Sequence, residues 1–346
     1  MNKIINKTKV LLVVLILPLL GAGCGLSSNT TDGGIYRSLD QGKAWEQKVF
    51  VGNGKDGPVT IANINVNKLL SREVDNTLWA VSSNDGIFSS INNGDSWRQI
   101  FKLPTKTMVI HPLKPEIFYA SSGNKIWRTV DSGAKWETVY VDVTPDSYIT
   151  DLAVTPLQPE AIFATTSRGA LIKGLDNGVR FAPIYFFKDR EIISRLIIFG
   201  SKPIMYLAEA KGGLWRSVDL GVKWELISDK FFNKSKISSG EFKNIVQFGL
   251  NDELLYATSY GLFKVAGAGS IWEILPLLTP ARSVTISALQ TNSNNTAEIY
   301  YTAANTLYHS LDKGRTWQTL ALPSTRKPTS LLIKSDNKTL YLGFSK

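Results

Sequence analysis

The side chains best suited to chemistry are few and scattered. The chain has two histidines, His111 and His309, and a single cysteine, Cys24. The histidines have no metal-ligand spacing and no cysteine cluster joins them, so no transition-metal site and no cofactor is expected. A nucleophile elbow and a phosphate loop are both absent. His111 precedes Pro112 at a strand end and His309 takes a recurrent basic position, so both read as structural. Five acids in the longer irregular segments, Asp146, Asp189, Glu191, Asp229 and Glu241, could supply a carboxylate pair for glycoside hydrolysis. That reaction needs the two groups about 5–10 Å apart, and sequence spacing does not fix their separation.

Recognition is the better-supported chemistry. Segments 50–59, 139–148, 185–192 and 228–242 interrupt an otherwise regular pattern and mix aromatic with basic residues. The candidate binding face is Lys188, Asp189, Arg190, Glu191, Lys230, Phe231, Phe232, Lys234 and Lys236. A surface of this kind suits an acidic protein or glycan. The phenylalanine pairs serve equally well as core under a rim, and the sequence leaves both roles open.

What must position these segments is a repeat. Eight-residue words recur along the chain, clearest in Ser38 to Trp45 and Ser310 to Trp317, which carry Asp40 and Asp312 at their third positions. The same frame holds Ser90 to Trp97 with Asn92, Thr129 to Trp136 with Asp131, and Ser217 to Trp224 with Asp219. Two copies are worn: Gly174 to Phe181 keeps Asp176 but ends in Phe181, and Val265 to Trp272 has lost its acid. The period of about 45 residues suits four short strands per propeller blade. Each word follows a strand and precedes another, so it is the turn between a blade's third and fourth strands. The acid is favoured there because it accepts backbone N–H groups across the turn, and the tryptophan because it wedges between blades. One carboxylate per turn is too little for calcium, so no metal is expected.

The chain's ends are complementary. Residues 33–49 read as third and fourth strands alone, and 330–342 as first and second strands alone. Joined, they make one blade beside six complete ones. The expected fold is all-β: a seven-bladed β-propeller closed by pairing N-terminal with C-terminal strands, with essentially no helix after residue 30.

The words fit Ser/Thr-x-Asp-x-Gly-x-x-Trp, and over residues 33–344 the chain resembles the Asp-box (bacterial neuraminidase repeat) propellers. That group includes sialidases, the sortilin ectodomain, xyloglucanase-type glycoside hydrolases and a photosystem II assembly factor. The lead-in Gly213-Leu214-Trp215-Arg216-Ser217 is most similar to the sortilin and xyloglucanase branch. The resemblance implies fold; it does not carry function across. A sialidase should show a Phe-Arg-Ile-Pro-like segment, which is absent. Xyloglucanases use two tandem propellers, and this chain has one. Kinship with the photosystem assembly factor is a further alternative, tied to a photosynthetic source.

Lys3, Lys7 and Lys9, the apolar run 10–20 and Gly21-Ala22-Gly23-Cys24 read as a bacterial lipoprotein signal. The expected organisation is a signal peptide at 1–23, lipidated Cys24 with a short tether to residue 32, and a propeller over 33–346. This places the protein outside the cytoplasm, lipid-anchored to a membrane, as a monomer. The precursor charge of +10 falls to 36 − 29 = +7 on loss of three signal lysines, which favours acidic partners. The address argues against nucleic acid. The leading expectation is a non-catalytic binding or assembly module, with a carboxylate-pair hydrolase as the alternative.

Overall fold

In a computed structural model of the chain, residues 31–187, 192–199, 202–249, 252–279 and 285–346 are described. Cys24 and the segment 1–30 lie outside them, as do Lys188, Asp189, Arg190 and Glu191.

Alternation of apolar and polar residues in short runs, cut by glycine-bearing turns, gives antiparallel strands in seven four-stranded sheets. Six are built in chain order from Val66–Arg72 onward, and we number these blades one to six. Blade seven pairs Ile35–Ser38 with Leu340–Ser345, so that Tyr36 faces Leu342 and Arg37 faces Tyr341. Its order runs Glu46–Gln47, Ile35–Ser38, Leu340–Ser345, Lys327–Ile333. The ring is closed by strands from both ends of the chain. Closure completes the seventh blade, and the ring leaves only short edges, the inner ones lining the central channel.

Each seam between blades holds its own apolar cluster. Leu78, Ala80, Phe88 and Trp97 of blade one pack with Ile35 and Tyr341 of blade seven, and Trp79, Phe101 and Met108 join blade one to blade two. Second strands are almost wholly buried, as in Thr77–Ser82 and Met205–Glu209.

Two local elements depart from the sequence expectation. Residues 50–60 form a hairpin, Phe50–Gly54 with Gly57–Thr60, where an irregular loop is expected. Ser228–Ser235 forms an α-helix without a side-chain cap at its start. Such a sequence has little intrinsic helical preference. Burial of Phe232 against blade five holds it in place.

Candidate functional site

The repeated turns are built alike. In Ser38, Ser90, Thr129, Ser217 and Ser310 the hydroxyl donates to the third-position Asp or Asn at 2.8 Å. It accepts the N–H of the turn glycine at 2.8–2.9 Å. The acid also accepts the N–H four residues further on, as Asp131 does from Lys135 at 2.9 Å. That N–H is the main reason Asp40, Asp131 and Asp219 sit below the usual carboxylate range. In Asp312 the Thr316 hydroxyl leads and brings the group down to about 2. The residue before each turn glycine lies in the left-handed region, from Leu220 at φ 55° to Lys313 at φ 64°. Gly133, at φ 91°, has a second constraint, because a Cβ there would stand 2.8 Å from Ile100 Cδ1 of the preceding blade.

The tryptophans reach into the seams. Trp97 Nε1 donates to Lys48 O at 2.9 Å, Trp136 to Ile100 O at 3.0 Å and Trp317 to Pro276 O at 2.7 Å, each acceptor in or beside the preceding blade's outer strand. Trp224 and Trp272 bond their own turns, at Gly221 O and Gly269 O, while packing on Phe187 and Phe231 respectively. Trp45 packs with Leu320 and Leu322. In the worn turn Phe181 meets Tyr140 of blade two at 5.0 Å. Asp176 pairs with Arg180 there, since Gly174 offers no hydroxyl. The basic position before the turns also serves the seams: Arg37 donates to Asn93 O and Arg128 to Asn177 O, each in the next blade's turn.

Both histidines are satisfied where they stand. His111 Nδ1 accepts the N–H of Leu113 and Lys114, which makes its Nε2 the donor to Asn177 Oδ1 at 3.2 Å. Burial lowers its pKa. His309 stacks on Tyr300 and meets Glu298 Oε1 at 2.8 Å. Burial would raise Glu298, but hydrogen bonds led by His309, with Asn292 and Tyr300, hold it below the usual value. Among the described residues no cluster of three His, Cys, Asp or Glu could hold a metal ion.

The opposite face carries the irregular connections. On the 228–235 helix Phe232 is buried, and Phe231 stacks on Trp272 with centroids 5.0 Å apart and planes 10° from parallel. These rings fill the seam between blades four and five. Lys230, Lys234 and Lys236 remain exposed, with Lys230 Nζ 3.0 Å from Glu225 Oε1. Asp146 lies on one connection and Asp229 and Glu241 on another, and all three are exposed; Asp146 lies 3.7 Å from Arg168 and Glu241 2.9 Å from Lys243. A hydrolase's general acid needs a carboxyl removed from water. None of these three is so placed.

Two features of this face escape sequence reading. The first is a cleft of about 660 Å³ between blades two and three, lined by Tyr140, Pro145, Arg168, Ile172, Pro183 and Phe186. Arg168 Nη2 donates to Pro145 O at 3.2 Å. Phe186 is 66 % and neighbouring Val143 90 % exposed. The second is the mouth of the central channel. Six first strands carry a bulge near their starts, around Asn67, Thr150, Ser194, Lys243, Ser287 and Thr329. A bulge re-aims a side chain, and all six of these polar residues line one cavity of about 520 Å³. The available signal is an apolar residue followed by a polar one at each inner strand's start, as in Val66-Asn67-Lys68 and Ile193-Ser194-Arg195.

No known family profile and no curated protein matches the chain. Solved structures with a similar fold include YCF48 from Cyanidioschyzon merolae (TM-score 0.62, 11 % identity, covering 82 % of this chain and 96 % of that one). YCF48 bound to D1 peptide gives 0.63 and 16 %, covering 82 % and 94 %. The GH74 xyloglucanase from Xanthomonas campestris gives 0.64 and 16 %, covering 87 % of this chain and 55 % of that one. At these identities the likeness establishes the seven-bladed propeller fold and nothing finer.

Proposed function

We propose that this chain is an Asp-box-type propeller, held by a lipid at Cys24 to the outer side of a bacterial membrane, which binds an acidic protein partner through its loop face without catalysing a reaction there. One observation carries the reading. The loop face exposes Phe186 and Val143 around a cleft containing a guanidinium, and three lysines flank the same face on the 228–235 helix and its end. Exposed aromatic and apolar side chains beside arginine are the composition of binding hot spots, and peripheral lysines raise the encounter rate with an acidic surface. A fold neighbour, YCF48, is known bound to a D1 peptide, which is a precedent for peptide recognition on this scaffold.

The test is charge reversal on each face. Changing Lys230, Lys234 and Lys236 to Glu should weaken capture of the partner at least tenfold and flatten its salt dependence. The same reversal at Lys43, Lys135 and Lys223, on the Asp-turn side, should leave capture unchanged. Loss of capture in the second variant alone would place recognition on the wrong face. If the captured partner proves to be a glycan, the protein assignment fails. For the anchor, Cys24→Ser should leave uncleaved precursor or release the protein from membranes. A variant that fractionates and migrates like wild type would remove the lipid anchor from the account.

A further inference from the structure

The channel mouth shares no residue with the loop-face surface just proposed, and it is unbalanced in charge. Four cations line it, Lys68, Lys106, Arg195 and Lys243, against one acid, Asp151, leaving 4 − 1 = +3. Asp151 is already committed. It accepts the N–H groups of Leu152 and Leu196 at 3.0 Å each, which stitches blade three to blade four, and Arg195 Nε stands 3.6 Å away. That Nε has no hydrogen-bond partner although it is buried. Lys68 Nζ donates to Met108 O at 3.1 Å and Thr107 Oγ1 at 3.4 Å, and among the described residues no carboxylate lies within ion-pair distance of it. Lysine and arginine are therefore held near one another in a recess that screens them poorly, an arrangement that costs folding free energy and is characteristic of sites built for a ligand.

We infer that the channel mouth binds a small polyhydroxylated oxyanion, a carboxylated or phosphorylated monosaccharide, with Lys68, Arg195 and Lys243 holding the anionic group and the polar circle holding the hydroxyls. The cavity falls in the size range of small-molecule sites. Its wall supplies amide and hydroxyl groups around the cations, from Asn67, Ser194, Asn244, Ser287, Gln290 and Ser330. Ser330 already accepts the N–H of Leu69 and Ser287 bonds Thr302, and the remaining donor and acceptor capacity of the wall suits sugar hydroxyls better than an apolar ligand. Burial, aided by the Arg195 charge and opposed by Asp151, lowers Lys68 to about 8. An oxyanion beside it would restore the ordinary preference for the charged form. Affinity should accordingly be highest below about pH 8 and decline as the pH rises past it.

The experiment is calorimetric titration of the full chain at neutral pH with glucuronate, glucose 6-phosphate, inorganic phosphate and glucose. At least one of the two anionic sugars should bind. Glucose should not, and inorganic phosphate should bind at least tenfold more weakly than the favoured sugar. Glucuronate alone would identify a carboxylate site; glucose 6-phosphate alone would identify a phosphate site. Lys68→Gln should weaken binding tenfold or more while leaving the melting temperature unchanged or raised, because it removes an uncompensated charge. Should that variant misfold, Lys243→Gln should weaken binding likewise, with a melting temperature unchanged or slightly lowered, because this lysine is already paired with exposed Glu241. The inference is overturned if neither anionic sugar binds, if inorganic phosphate binds as tightly as the sugar, or if the folded variants bind like wild type. The loop-face proposal rests on partner capture and stands or falls separately.

Discussion

Deleting residues 327–346 should leave an aggregating chain that is protease-sensitive throughout the ring. The deletion removes two strands of blade seven and leaves Ile35–Ser38 with its partner Leu340–Ser345 gone. It also strips Leu331, Leu340, Leu342 and Phe344 from a cluster whose remaining members include Tyr36, Tyr300 and Leu307. Across the seam to blade one, Ser330 Oγ no longer accepts Leu69 N–H, and the Thr329 hydroxyl no longer reaches Val66 O. Exposed strand edges beside an exposed apolar flank invite intermolecular pairing. Size-exclusion chromatography with limited proteolysis should show oligomers and cleavage around the ring. A monomer as resistant as the full chain would mean that the closing blade is dispensable.

Trp97→Ala should be the most damaging single substitution among the turn tryptophans. Trp97 is 2 % exposed, packs with Val49 and Phe88, and donates its indole N–H to Lys48 O in the preceding blade. Truncating a buried aromatic costs about 3–5 kcal/mol, a large part of the 5–15 kcal/mol that typically holds a domain folded. The same change at Trp317, half-buried in its seam, should cost less. Urea denaturation of the two variants measures the difference. If Trp97→Ala unfolds like wild type, the tryptophans are not what joins the blades.

Fold was legible because folding reuses one solution around the ring, intact in five turns and worn in two. The Ser-x-Asp-x-Gly-x-x-Trp turn needs a hydroxyl, an acceptor, a left-handed glycine and a wedge at fixed offsets, so its spacing announces the blade count. Closure was legible because the strands missing at one end of the chain are present at the other. The helix at Ser228–Ser235 was not legible, since what holds it is Phe232 in a seam contributed by another blade. The paired phenylalanines 231 and 232 were ambiguous for the same reason, and their rings are in the seam between blades. The channel mouth was hidden because Lys68, Arg195 and Lys243 come from different blades, 127 and 48 residues apart in turn, and become neighbours only in the closed ring. The cleft around Arg168 likewise joins two blades. Local periodicity records what each blade repeats, whereas recognition surfaces are assembled from what the blades do not share.

The division of labour between the two faces is the central claim, and hydrogen exchange on the full-length protein with and without its captured partner tests it most directly. Protection is expected to rise across 142–148, 166–170 and 183–187 and around the 228–235 helix, while the turns at 38–45, 129–136 and 310–317 stay unchanged. New protection confined to those turns, with the loop face exchanging as in the free protein, would contradict it.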